Sequence, residues 1–196
     1  VPFHVNPDMF VSRGSKNLSE RIIPFKDIPS VDELTTHGAE VVNDGGSRLL
    51  LDDMFYLSGE IPRVTPYEKG LSGHMKRTAD GTDWESDPLI MDERFLAVDI
   101  ADKGVIVFTA CSYAGVVNVL THAREMFAPR PIYGVMGGFH LSGKKCEAII
   151  PETVADMKQF DLSMMVPGHC TGWRAVHALV NAFGEEVVVP SAVGRF

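Results

Sequence analysis

The chain has 196 residues, 18 of them basic and 26 acidic, which gives a net charge of −8. Hydrophobic residues make up 45% and charged residues 22%, a balance that excludes a disordered tail, which is poorer in apolar residues. No uncharged apolar run approaches the roughly 18–20 residues that span a bilayer, and an acidic chain without a basic stripe argues against an electrostatic nucleic-acid partner.

The length suits one domain over residues 1–196. Cys111, Cys146 and Cys170 are an odd number. They form a poor disulfide framework and fit a reducing, cytoplasmic setting. No charged segment leading into an apolar one opens the chain, so no signal peptide is read there.

In chain order, the first third is punctuated by Pro2, Pro7, Pro24, Pro29, Pro62 and Pro66, which keep its segments short. Residues 39–43 read as a strand ending at Asp44-Gly45-Gly46, and 49–51 with 54–57 as a hairpin. The polar stretch 70–88, with Asp80, Asp83, Glu85 and Asp87, reads as a surface loop or flap. From Phe95 the pattern changes. Strands are predicted at 95–100, 105–109, 132–136 and 162–166, with a last one at 186–189. Between them, Val116, Val117, Leu120, Ala123 and Phe127 recur at helical spacing, and a second helix starts at Pro151. A third stripe, Trp173, Val176, Leu179, Val180 and Phe183, closes at Gly184. This alternation predicts an α/β layered fold.

The chemistry-bearing residues fall just past predicted strand ends. They are Cys111-Ser112-Tyr113, Gly137-Gly138-Phe139-His140 and Gly168-His169-Cys170. In an α/β sheet that edge gathers binding loops. Tyr113, His140 and His169 are separated by 27 and 29 residues, one strand–helix unit each, as expected when each loop donates one ligand. Imidazole and thiolate suit zinc and other first-row metals. Structural, hydrogen-bonded histidines fit the same positions.

Four motifs occur in order: Ser58-Gly59-Glu60-Ile61-Pro62-Arg63, the run from Thr109 through Cys111-Ser112-Tyr113 to Asn118, Gly137-Gly138-Phe139-His140-Leu141, and Pro167-Gly168-His169-Cys170-Thr171-Gly172. Together they resemble a branch of the metallo-β-lactamase superfamily that holds archaeal pterin-related synthases and metal-dependent hydrolases. The resemblance implies that the chain is part of an αββα sandwich, its C-terminal two thirds. That family's HxHxDH motif is absent here, and His4, His37 and His74 are isolated. The chain begins at Val1, so it is expected to be N-terminally truncated, starting after that motif.

The resemblance also assigns roles. His140 and His169 match later metal positions, for a divalent metal, zinc first and iron or manganese as alternatives. Tyr113 stands where the family has a ligand histidine and becomes a catalytic or substrate-orienting residue. Glu60, Arg63, Cys111 and Ser112 form a substrate wall, though a structural Glu–Arg ion pair explains Arg63 equally well. The implied activity is hydrolysis of an ester or phosphoester of a small molecule by metal-activated water. The alternatives are a pterin-related transferase of the same fold and a binding module without catalysis. Expected partners are a small-molecule substrate, no nucleic acid, no membrane, and either a second copy of the chain or its missing N-terminal part. Glu152 and Asp156 read as an exposed helix face, Cys170 as a small buried hydrophobe, and Cys146, beside Lys144 and Lys145, as a surface thiol.

Overall fold

The structure is a computed structural model and describes residues 1–189. The first half holds β1 (Pro2–Val5), β2 (Arg13–Lys16), β3 (Ile22–Pro24), α1 (Val31–Thr36), β4 (Glu40–Asn43), β5 (Arg48–Leu50), β6 (Phe55–Leu57), β7 (His74–Arg77) and β8 (Trp84–Ser86). The second holds β9 (Phe95–Ile100), β10 (Gly104–Thr109), α2 (Val116–Phe127), β11 (Ile132–Gly138), α3 (Lys144–Glu147), α4 (Ile150–Met157), β12 (Met164–Gly168) and α5 (Trp173–Phe183). The fold is mixed α/β, as expected. Of the strand predicted at 186–189, an isolated bridge between Val188 and Met165 is present.

The chain divides into two compact units, Val1–Gly46 with Gly70–Asp92, and Ser47–Lys69 with the residues from Glu93 on. The first unit has a four-stranded antiparallel sheet, β3-β2-β7-β8, and a parallel pair, β1-β4. The 70–88 stretch, expected as a flap, supplies β7 and β8. Its strands are short and polar, so no apolar alternation announces them. Its acidic residues do local work instead. Asp80 accepts from the Thr82 backbone N–H at 3.1 Å and from the hydroxyls of Thr78 and Thr82, closing the turn. The Arg77 guanidinium stacks 4.4 Å from the Trp84 ring, so Trp84 pins this hairpin. Arg13 on β2 bonds Asp87 at 2.9 Å and Asp92 at 2.7 Å, tying the sheet to the segment that leaves it.

The second unit is built on a six-stranded sheet, β12-β11-β10-β9-β6-β5. β10, β11 and β12 are parallel, linked through α2 and α4. Parallel strands covered by helices read as near-continuous apolar runs, and Val105 and Val107 are fully buried. The core joins Phe95, Ala97, Val135, Phe139, Met165 and Leu179 to a deeply buried α2, on which every residue from Val116 to Leu120 is buried.

This topology fixes one rim. The C-terminal ends of three parallel strands share an edge. β9 is antiparallel, with Phe95 opposite Thr109, so its start lies at that edge. β6 runs antiparallel to β9, with Leu57 opposite Leu96, so its end lies there too. The loops after β6, β10, β11 and β12, and the residues just before β9, therefore meet at one side of one sheet.

α2 begins without a side-chain cap of its own, its N-cap being Gly115 at φ +94°. The orphan N–H groups are covered from another segment. Glu68 accepts from Val117 N–H and Asn118 N–H, both at 2.9 Å. A Cβ on residue 115 would lie 2.0 Å from the Glu68 carboxyl carbon, so the close approach and the left-handed backbone both require glycine. Gly115→Ala is expected to cost about 2–4 kcal/mol in denaturant unfolding. A loss within about 0.5 kcal/mol would show that the cap tolerates a side chain.

Candidate functional site

The loop after β10 is positioned through its backbone. Glu93, just before β9, accepts from the N–H groups of Tyr113 at 2.8 Å and Ala114 at 2.5 Å. Asn118 on α2 donates to Ala114 C=O at 2.7 Å, while its side-chain oxygen accepts from Val64 and Thr65 N–H, both at 2.9 Å. Thus α2, the 58–68 loop and the Tyr113 loop are fixed to one another. The Ser112 and Thr109 hydroxyls are 2.9 Å apart, and Ser112 is buried at 2% exposure. Its hydroxyl is hydrogen-bonded within the loop.

Three non-glycine residues take left-handed backbone at this rim: Ser112 at φ +49°, His140 at +48° and His169 at +47°. One follows each of the three parallel strands. Such residues cost of order 1–2 kcal/mol each and cluster where a side chain must be aimed against backbone preference.

Aiming brings sulfur and imidazole together. Cys111 Sγ is 3.3 Å from His169 Nδ1. The Cys170 thiol donates to Cys111 C=O at 3.5 Å. One potential ligand atom from each of Cys111, His169 and Cys170 lies within 4.8 Å of the others, the group of three that could hold a metal among the described residues. His140 is outside that group but beside it. Its backbone N–H hydrogen-bonds Cys170 sulfur, and its ring lies 4.8 Å from the Tyr113 ring, centre to centre. The Tyr113 hydroxyl is hydrogen-bonded to Cys111. Burial, reinforced by the Cys111 charge, pushes both the Tyr113 phenol and the Cys170 thiol well above their ordinary pKa values. Tyr113 is therefore a hydrogen-bond donor at neutral pH.

Of the other expected wall residues, Glu60 is exposed. Arg63 is partly buried, donates to Ile61 C=O at 3.3 Å and feels the charges of Glu93, Glu60 and Glu68, with burial the larger influence on its pKa. Both sit on the loop leaving β6, at the same rim. Sequence reasoning overlooked Glu93, whose signal was a carboxylate at the mouth of an antiparallel strand. Asp156, expected on an exposed helix face, accepts from the Tyr67 hydroxyl at 2.7 Å. Burial pushes the Cys146 thiol up, outweighing its lysine neighbour.

The chain matches no family model. It spans 99% of its length against the crystal structure of Tm1679, a metal-dependent hydrolase of the β-lactamase superfamily, at TM-score 0.78, with 22% identity and 69% of that chain covered. The fold is metallo-β-lactamase-like. Two curated proteins of Methanocaldococcus jannaschii are similar in sequence. The 7,8-dihydropterin-6-methyl-4-(β-D-ribofuranosyl)-aminobenzene-5′-phosphate synthase is 31% identical over 97 residues, half of this metallo-β-lactamase-like chain. The uncharacterised protein MJ0448 is 32% identical over 129 residues, 66% of it. The chain spans 32% and 44% of those two proteins' lengths. No helix among the described residues is long and apolar enough to cross a membrane.

Glu68 offers a pH test of the scaffold. Burial pushes its pKa from 4.5 to about 7, against the lowering effect of the Val117, Asn118 and Thr65 hydrogen bonds. The folded chain then keeps this proton while the unfolded chain releases it. The stability from this group is fully present below about pH 4.5 and is lost as pH rises through about 7. The loss is expected to reach ~3 kcal/mol. Glu68→Gln mimics the protonated acid at every pH, so urea melts at about pH 5 and about pH 8 should show that slope in the parent and not in the variant. An equal slope in both would assign it elsewhere.

Proposed function

We propose that this rim is part of the site of a metal-dependent hydrolase acting on an ester- or phosphoester-type small molecule. The observation that supports this reading is that the His140 loop meets the His169 loop at Cys170, while His169 meets Cys111 of a third loop. Cys111 Sγ faces His169 Nδ1, and Cys170 sulfur accepts from the His140 backbone N–H. Imidazole with sulfur nearby fits a divalent transition metal and favours zinc over manganese, iron being the alternative. His169 and His140 would hold it. Such a cation, when bound, polarises the scissile group and lowers the pKa of bound water.

The chain's own side chains supply positioning. Tyr113, protonated at neutral pH, donates a hydrogen bond to a substrate oxygen. Arg63, on the loop leaving β6, is a cation for a phosphate or carboxylate, with Glu60 at the exposed edge. A second reading, a pterin-related transferase, draws support from the 31% identity to the dihydropterin-linked synthase over half of this chain.

Metal analysis of the purified chain, with a chromogenic ester and phosphoester panel, tests the first reading. About one zinc per chain is expected, with His169→Ala lowering metal affinity ~10-fold or more. A metal content near zero that His169→Ala leaves unchanged would overturn it. Metal binding without hydrolysis, joined to thermal stabilisation by a pterin, would favour the transferase.

A further inference from the structure

We infer that Cys111, His169 and Cys170 are a thiolate–imidazole ligand set for a soft divalent cation of the zinc class. The inference takes His169 as a metal-binding residue from the reading above and otherwise rests on the two sulfurs, whose geometry does not depend on any catalytic role.

The distances have the size of a tetrahedral site. With metal–sulfur bonds of ~2.3 Å and metal–nitrogen bonds of ~2.0–2.1 Å, ligand atoms sit ~3.3–3.8 Å apart. Cys111 Sγ and His169 Nδ1 are 3.3 Å apart, and no pair among the three ligand atoms exceeds 4.8 Å. A shift of about an ångström at one side chain is enough to close the set.

Three features show that the sulfurs are placed rather than merely neighbouring. Cys111 and Cys170 come from loops after different strands, brought to one point past the left-handed His169. The His140 backbone N–H is directed at Cys170 sulfur, the kind of outer contact that steadies a metal-bound thiolate. β11 also leaves room for that sulfur, since a Cβ on Gly138 would lie 2.7 Å from Cys170 Sγ. On binding, each thiol releases its proton to solvent as its sulfur–metal bond forms, with no change in oxidation state. These three ligands leave one tetrahedral position, which His140, beside the group, or a water would take.

Cys146, on α3 and outside the group, is a built-in control. The experiment alkylates the intact chain with iodoacetamide, with and without added zinc, and follows each cysteine by peptide mass spectrometry. Zinc is expected to slow Cys111 and Cys170 by about tenfold or more and Cys146 by less than about twofold. In parallel, cobalt(II) added in place of zinc should give a sulfur-to-cobalt charge-transfer absorption that weakens in Cys111→Ser and in Cys170→Ser. These conservative variants keep the volume, and circular dichroism checks that they fold. Protection of no cysteine, equal protection of all three, or a cobalt complex without the absorption would overturn the inference. So would zinc that leaves both cysteines reactive while peroxide joins them in a disulfide. Should zinc protect the pair while no ester or phosphoester is cleaved, the hydrolase reading fails and the ligand set stands. Hydrolysis by a metal that leaves the cysteines reactive gives the reverse result.

Discussion

Two carboxylates set on backbone N–H groups hold the rim in shape. Glu68 covers the start of α2, and Glu93 covers the turn that leads into it. A buried helix start leaves donors that water cannot reach, and a buried carboxylate leaves charge that water cannot reach. Each is costly alone. Joined, each offsets part of the other's cost, although for Glu68 burial still outweighs the hydrogen bonds. Asn118, fully buried, extends the same logic by accepting from Val64 and Thr65 N–H and donating to Ala114 C=O. Because Glu68, Val64 and Thr65 belong to the 58–68 loop, that loop cannot move without uncovering the helix.

Left-handed backbone at Ser112, His140 and His169 makes sense on such a scaffold. Strain at one loop tip is tolerable only where the flanking chain is over-determined. Here β10, β11 and β12 are registered against one another up to their last residues, Thr109 opposite Gly137 and Gly138 opposite Gly168. The strand ends cannot slide to relieve the loops, so the loops turn sharply and send consecutive side chains in different directions. Ser112 goes inward to Thr109 while its neighbour Cys111 meets His169.

Much of the second unit was legible in the sequence, because its signals are local and strong. Apolar runs near Val105, Ile132 and Met165, glycines at their ends, and the helical spacing from Val116 to Phe127 each specify an element without help from distant residues. The first unit was less legible. Strands such as Trp84–Ser86 carry too few apolar residues to alternate, and their pairing depends on partners such as β7 and β2 that no short window contains. At the site, the histidine loops could be read from glycine and strand ends, but not the contacts between them. The cap on α2 sits 49 residues from Val117, so no local capping pattern announced it. Cys170 read as a buried hydrophobe because its composition and neighbours resemble one. Its contact with Cys111 exists only once β10 and β12 flank β11.

The same arrangement separates what folds this rim from what reacts there. The bonds that hold the Tyr113 loop run from Glu93 to backbone N–H groups, from Asn118 to a backbone carbonyl, and between Ser112 and Thr109. None of them uses the side chains of Cys111, Tyr113, His140 or His169. The side chain at 113 can therefore vary without disturbing the loop, since Glu93 grips the backbone of that residue whatever its side chain. What changes is chemistry. At this position burial keeps a phenol protonated, a hydrogen-bond donor at neutral pH. Beside it stand the two sulfurs of Cys111 and Cys170 with His169, on loops the same scaffold already holds in place.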